Sequence, residues 1–462
     1  MTSRAVIYST FYVEDSAEIV NWFAAKEWAV FLDSGHPRSK QGRYDIISGN
    51  PVCTLETRGE NTTITTKNDV IVSNENPFEL LKSELNRYAK MFDSSNIAHF
   101  DLPFVGGAVG YFSYDLARCL EHLPNLAENP ESISEMTVGI YDWAVVIDHE
   151  IKQSFIICYD ESDAKLDEIC DFLAGVQTVD NETDFAVTSE IKADYSQQTY
   201  AQAFQKIKQY LKEGDCYQVN LTQRFSANCE GNTWQTYEAL REINAAPFSA
   251  YLNFPDVKVL SSSPERFLKL KNGHVETKPI KGTRPRKSND IENAAQLHDL
   301  INNPKDRAEN VMIVDLLRND ISKVCQNVRV PKLFEIESYT TVHHLVSTVT
   351  GELKPNQHAL DLLQNCFPGG SITGAPKIRA MEIIEEIEPN RRGVYCGAIG
   401  YIGFDGNMDT NIVIRTLIES RGKIQFWAGG GIVNDSNVDD EYQESFDKAA
   451  AMFQVLKRFQ EN

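Results

Sequence analysis

The chain has 462 residues, 42% of them hydrophobic and 24% charged, so it is long enough to bury a large core and to hold two or three domains. Its formal net charge of −21 excludes the usual nucleic-acid partner, whose phosphates must be neutralised by Lys and Arg, and no apolar run approaches the ~20 residues that span a bilayer as a helix. Nine cysteines without a C-x-x-C pair, no H-E-x-x-H pattern and no basic-then-apolar start point to reduced thiols in the cytoplasm, with no zinc site and no secretory signal expected.

An acidic protein that binds an anion must build a local positive site from lysine, arginine, helix N-termini or a bound cation. From Ala5 to about Asp160 short β-rich runs predominate, among them Trp28 to Leu32, Tyr44 to Ile47, Asp69 to Val72 and Trp143 to Ile147. Phe78 to Met91 carries Leu80, Leu81, Leu85 and Tyr88 at helical spacing, with Asn76-Pro77 as a start signal. The run Pro103 to Phe112 is glycine-punctuated but fits neither phosphate-loop pattern, so close packing of strands is expected there. Residues 176–194, acidic and polar, read as a linker between an N-terminal region, 1–175, and a second region, 195–462.

After the linker, Ser196 is placed to cap a helix that buries Tyr200, Phe204, Ile207 and Leu211 and stops at Gly214. Asp215 to Phe225 alternates polar and apolar residues, and a solvated face is the simpler explanation for Gln218, Asn220 and Thr222. The strand Val257 to Leu260 runs out into Ser261-Ser262-Ser263-Pro264-Glu265, and the bend TKPIKGTRPR puts Lys281 beside Gly282 between two prolines. A lone Lys-Gly is ordinarily a surface loop. Two turns that present an acid and an amine are less ordinary.

Two helices then carry carboxylates. Asp306 to Leu317 has Glu309 one turn before its apolar Met312 and Ile313, and Asp440 to Phe459 has Glu441, Glu444 and Lys448 beside an expected stripe of Tyr442, Phe446, Ala449, Phe453 and Leu456. Glu441 and Glu444 repel each other, so they form either an indifferent surface or a prepared cation site, and oxygen-only ligands suit Mg²⁺. Phe367 to Lys377 (FPGGSITGAPK) leads into a helix whose free N–H groups could meet an anion, Ala428 to Val433 offers side-chain-free backbone, and Arg415 interrupts an otherwise apolar strand, Asn411 to Ile418.

In order along the chain, GDCYQVNLTQRF, SSSPERF, PIKGTRPR, AENVMIVDLLRND, VHHLVSTVTGEL, PGGSITGAPK, RGVYCGAIGY and AGGGIVNDSNVDDEYQESFDKA, with FLDSG and GGAVGYFSYD before the linker, resemble the chorismate-utilising enzymes. That family contains anthranilate, aminodeoxychorismate, isochorismate and salicylate synthases. The resemblance implies an α/β (α+β) fold of two stacked, mainly antiparallel sheets wrapped by helices, with the N-terminal region completing the same core.

Carried onto this chain, the resemblance makes Glu309 and Glu444 ligands of Mg²⁺, with Glu441 assisting through water, and makes Glu265 the general acid at the C4 hydroxyl of chorismate. Arg415 and Tyr395 would bind the enolpyruvyl carboxylate. Gly429, Gly430, Gly431 and Lys448 would lie near the anionic substrate, joined by Thr283 and Thr373, with His344 touching the departing or retained groups. Isochorismate and salicylate synthases have a lysine where this chain has Gln218, so ammonia rather than water is the expected nucleophile. PIKGT, where anthranilate synthases read PIAGT, resembles the aminodeoxychorismate branch, in which the amine of Lys281 attacks C2 and ammonia then attacks C4.

A lysine at its ordinary pKa of ~10.4 is about one part in a thousand free amine near neutrality, so that role demands a site that discharges it. The ammonia would come from a separate glutaminase subunit. Ser34, Tyr44, Pro247 and Phe248 fall where family members build a tryptophan pocket, although Asp33 departs from the Leu-Leu-Glu-Ser sequence of feedback-inhibited anthranilate synthases. The alternatives are an anthranilate synthase, which would release pyruvate, and a non-catalytic tryptophan-binding paralogue, which would have lost an acid or a metal ligand.

Overall fold

Strands such as Gly107–Phe112, Met136–Tyr141, Trp143–Asp148 and Ala398–Gly403 are buried at every position, as expected of strands covered on both faces. Cys53–Arg58, nearer a margin, alternates buried and partly exposed residues. The computed structural model describes residues 3–39, 41–159, 163–174, 183–339 and 342–460.

Two large antiparallel sheets hold these strands. One runs from Gln218–Glu230 through Lys423–Ile432, Thr416–Ser420, Val257–Ser263, Phe248–Phe254, Ala29–Asp33, Tyr44–Ser48, Trp143–Asp148 and Gln153–Cys158 to Val6–Thr10. The other runs from Ile280–Pro285 through Val342–Leu353, His274–Thr277, Arg266–Lys271, Met408–Ile412, Ala398–Gly403, Gly107–Phe112, Met136–Tyr141, Cys53–Arg58 and Asn61–Thr66 to Val70–Ser73. Each sheet is therefore N-terminal at one end and C-terminal at the other. Side chains of both meet in one apolar core that includes Val30, Ile46, Leu55, Val109, Leu252, Leu268, Ile399 and Ile418.

Ala186–Val187 and Lys192–Ala193, inside the stretch read as a linker, pair with Gln218–Glu230; residues 175–182 of that stretch lie outside the described residues. The Pro103 to Phe112 run does pack closely. A Cβ on Gly110 would stand 2.1 Å from the Thr137 carbonyl of the neighbouring strand, so only glycine permits that approach.

Helices wrap the sheets. Asn76 caps Pro77–Ala89, and Ser196 with Thr199 forms a capping box at the start of Gln197–Glu213, which ends at Gly214 with φ +83°. Three expectations are corrected. Gln218, Asn220 and Thr222 are buried: Gln218 leans over the bare Gly431 of the neighbouring strand, and Thr222 donates to Glu388 at the end of the helix Lys377–Ile387. Asn411 to Ile418 is not one strand: Met408–Ile412 and Thr416–Ser420 belong to different sheets, and Arg415 sits in the corner between them with φ +51°. In the last helix, Val438–Arg458, the buried face is Glu441, Ser445, Ala449, Met452, Val455 and Leu456, rotated so that Tyr442, Phe446 and Phe453 lie at its margin and Glu441 points inward.

Candidate active site

The ladder between Ile280–Pro285 and Val342–Leu353 is irregular between Ile280 and Thr283, where Gly282 takes φ +88°. An unpaired residue in a bulge can be re-aimed, and Lys281, 14% exposed, turns inward. Its ammonium lies 3.8 Å from Glu309 and 3.4 Å from the Ser371 carbonyl. The hydroxyl of Ser371 donates to Glu265 at 3.1 Å, so one residue of the Gly370–Ile372 turn touches both the amine and the acid. Burial pulls Lys281 below its ordinary pKa and Lys448 adds to this, against Glu309 and Glu265. Burial raises Glu265 above the usual carboxylate range, against the pull of Lys281 and the Ser371 hydrogen bond.

Glu309 projects from Pro304–Val324, and Glu441 and Glu444 from Val438–Arg458. A Cβ on Gly430 would stand 3.0 Å from Glu441 Oε2 and 3.2 Å from Glu444 Oε1, so the bare strand lets both carboxylates close over it. Lys448 donates to the Gly429 carbonyl at 2.9 Å and pairs with Glu444 at 2.6 Å, while Lys305 reaches Glu441 at 3.3 Å. Burial raises Glu309 despite Lys281 and Lys305; burial opposes ionisation of Glu444 too, but Lys448 holds its pKa below the ordinary value.

Among the described residues no three His, Cys, Asp or Glu side chains converge on one point. Mg²⁺ asks for less, one or two carboxylates completed by water and substrate oxygens, and the hard-oxygen pair over Gly430 fits that requirement.

Gln218 faces the same strand. A Cβ on Gly431 would lie 2.5 Å from its Nε2, and both ends of this fully buried amide lack a hydrogen-bond partner among the described residues. Buried amides are normally satisfied, so both ends of this one are free to bond a water or a ligand. Arg392, 1% exposed, fixes the surroundings: it pairs with Glu388 at 2.7 Å and donates to the carbonyls of Ile372 and Asn220, while Glu388 accepts from the backbone and hydroxyl of Thr222. Thr373 turns its hydroxyl back onto the Gly369 carbonyl, and Tyr395, beside the Arg392–Glu388 pair, stacks on Trp427. Removing the guanidinium with Arg392→Leu leaves Glu388 charged and buried. A loss of ~3–5 kcal/mol is expected in urea or guanidinium unfolding, and a loss below ~1 kcal/mol would show that the pair holds nothing together.

His344 and Thr283 face each other across the irregular ladder, with Thr283 Oγ1 2.8 Å from His344 Nδ1. Burial and the charge of Arg415 push His344 down to about 4, so it is neutral at physiological pH. Arg415 itself touches Asn244 at 3.4 Å; among the described residues no carboxylate lies within ion-pair distance, and Glu265 is the acid whose charge it feels. Arg415 is only partly exposed, and a largely desolvated guanidinium without an ion-pair partner is costly unless an anionic ligand completes it.

Ser34, Tyr44, Pro247 and Phe248 are brought together elsewhere, around a cavity of about 230 Å³ that Arg266, Met408 and Asp409 also line. Beneath it Asp33 pairs with Arg241, and Asp45 accepts from Ser34 and lies beside His149. Sequence reasoning missed Ser371, Arg392, Glu388, Lys305 and Asn244. Ser371, Arg392 and Glu388 stand in or beside motifs already singled out, but their partners are set by tertiary contacts.

Residues 31–454 match the family of chorismate binding enzymes. The chain belongs to the chorismate-binding enzymes. It is 46% identical to aminodeoxychorismate synthase component 1 of Klebsiella aerogenes, covering 94% of this chain and 95% of that one. With aminodeoxychorismate synthase component 1 of Escherichia coli strain K12 it shares 43% identity, over 99% of this chain and 100% of the relative. Among solved structures, anthranilate synthase component I from Streptococcus pneumoniae TIGR4 superposes with a TM-score of 0.78 at 32% identity, covering 90% of this chain and 93% of the other. The expected two-sheet architecture is thus that of a known member of the chorismate-binding enzymes. Among the described residues no helix is long and apolar enough to cross a membrane.

Proposed function

We propose that this chain is the chorismate-aminating component of an aminodeoxychorismate synthase, which converts chorismate and ammonia to 4-amino-4-deoxychorismate on the route to p-aminobenzoate and folate. The observation that carries this reading is the placement of Lys281, whose pKa burial lowers, and Glu265, whose pKa burial raises, on the carbonyl and the hydroxyl of the same residue, Ser371. In the proposed sequence the Lys281 amine forms a bond to C2, the ring double bonds shift, and the C4 hydroxyl leaves as water with a proton from Glu265. Ammonia then bonds to C4 and the lysine departs from C2. Gln218, a neutral amide, cannot serve as the base that a water nucleophile needs, which favours ammonia.

Glu309 and Glu444, with Glu441, would hold Mg²⁺, whose chemistry there is to supply counter-charge to the ring carboxylate. Arg415 and Tyr395 receive the enolpyruvyl carboxylate, and Lys448, the backbone of Gly429, Gly430 and Gly431, Thr283 and Thr373 shape the rest of the anion site, with His344 as a neutral donor or acceptor. A separate glutaminase subunit supplies ammonia, and the name component 1 carried by the relatives supports a two-part enzyme.

The purified chain, given chorismate, Mg²⁺ and ammonium, is expected to yield 4-amino-4-deoxychorismate by mass spectrometry, with no pyruvate in a coupled lactate dehydrogenase assay. Stoichiometric pyruvate with anthranilate fluorescence would assign it to the anthranilate synthases instead.

The second cavity holds tryptophan in this reading, because Ser34, Tyr44, Pro247 and Phe248 surround it and Pro247, Phe248 and Met408 give it an apolar wall. Denaturing the purified protein should release tryptophan detectable by mass spectrometry. An empty supernatant, and no thermal stabilisation on adding tryptophan, would remove that assignment.

A further inference from the structure

Three carboxylates, Glu309, Glu441 and Glu444, are matched by three ammonium groups, Lys281, Lys305 and Lys448, each touching one of them. Two of these lysines are fixed from behind: Lys281 donates to the Ser371 carbonyl and Lys448 to that of Gly429. Lys305 differs. Among the described residues its one hydrogen-bond and ion-pair partner is Glu441, and its side chain is 45% exposed, as that of Lys448 is at 46%, whereas that of Glu441 is 4% exposed. It stands in the first turn of Pro304–Val324, four residues before Glu309, so its long stem starts beside the carboxylates and ends at the solvent boundary.

The two oxygens of Glu441 are used differently. Oε1 accepts from Ser436 at 2.6 Å and meets Lys305 at 3.3 Å, while Oε2 faces the Gly430 backbone, on the side where Glu444 Oε1 lies. A dication held by Glu441 and Glu444 would share the Glu441 carboxylate with the Lys305 ammonium. Two cations on one carboxylate repel even at the moderate effective dielectric of a protein surface. Lys281 and Lys448, held by carbonyls, cannot retreat easily. Lys305 can, because among the described residues, unlike the equally exposed Lys448, it is held by no carbonyl and has Glu441 as its one ion-pair partner.

We propose that Lys305 is a tethered counter-ion for the carboxylate cluster: its ammonium rests on Glu441 while the site is free of metal and must swing into solvent when Mg²⁺ binds. The proposal rests on the Mg²⁺ reading of Glu309, Glu441 and Glu444 given above. Lys305 thereby sets how much of the protein carries metal before substrate arrives, and it keeps the buried Glu441 carboxylate from standing uncompensated.

The test is isothermal titration of MgCl₂ into the full chain without chorismate, which reads ion binding apart from turnover. Lys305→Met keeps the stem and removes the charge, and is expected to bind Mg²⁺ roughly tenfold more tightly than the unaltered chain. Lys305→Arg keeps the charge and is expected to bind as the unaltered chain does. Metal binding seen only in Lys305→Met would also support the mechanism. Unchanged or weaker binding by Lys305→Met, equal tightening by Lys305→Arg, or no binding by any of the three would overturn it. Glu444→Gln separates the two readings: if it weakens Mg²⁺ binding while Lys305→Met changes nothing, the metal site stands and the counter-ion role falls. If neither variant changes binding, both fall.

Discussion

Lys281→Ala is expected to reduce turnover with chorismate and ammonium by roughly 10³-fold or more while leaving chorismate affinity, measured by equilibrium titration, within about threefold of the unaltered chain. The split follows from where the lysine sits. The substrate's carboxylates are assigned to Arg415, Tyr395 and the metal ligands, of which only Glu309 pairs with Lys281, at 3.8 Å, while Glu444 is held by Lys448 and Arg415 by the corner between two strands. What the variant loses is a nucleophile whose ammonium form burial has already destabilised. An ordinary lysine at neutral pH would be almost wholly protonated and inert, so the bulge at Gly282 matters because it carries the amine out of water. Near wild-type turnover by Lys281→Ala would end the nucleophile assignment, and a matching collapse of affinity would make Lys281 a binding residue only.

Local features of this fold were legible and long-range ones were not. Asn76, Ser196 and Gly214 mark helix ends through chemistry that acts over three or four residues, so those boundaries could be read directly. The bend at Lys281 was readable because two prolines and a glycine leave few conformations. The polar alternation of Gln218, Asn220 and Thr222 identified a strand but could not say what its polar face meets. Periodicity reports two faces, and only tertiary structure shows that Glu388 receives the Thr222 hydroxyl and that Gln218 is shut in beside Gly431.

Val413, Ile414 and Thr416 all favour extended backbone, so the sequence around Arg415 resembles a continuous strand, and nothing nearby announces a left-handed turn at an arginine. The order of the two sheets depends on partners hundreds of residues apart, such as Phe248–Phe254 beside Ala29–Asp33. Likewise, that Lys305 reaches Glu441 depends on how two distant helices dock, which no local pattern encodes.

Glu265→Gln should change the shape of the pH profile as well as its height. In the proposed mechanism the reactive pair is a neutral Lys281 amine beside a protonated Glu265, linked through Ser371. The pair carries one proton between them, and the productive arrangement is a fixed fraction of that singly protonated state, so turnover rises and falls with the two macroscopic ionisations of the pair. Below the lower ionisation both groups are protonated and the amine cannot attack; above the higher one both are deprotonated and no acid remains. Burial narrows the gap from both sides, because it lowers the lysine and raises the carboxyl. Glutamine keeps the shape and the Ser371 contact but cannot give a proton, so turnover should fall by roughly 10²- to 10⁴-fold, the usual worth of a general acid. With the carboxyl gone, the residual rate should depend on Lys281 alone: it rises once as pH passes the lysine's ionisation and then stays level, with the descending limb absent. A Glu265→Gln enzyme that still fell off at high pH would place the essential acid on another residue.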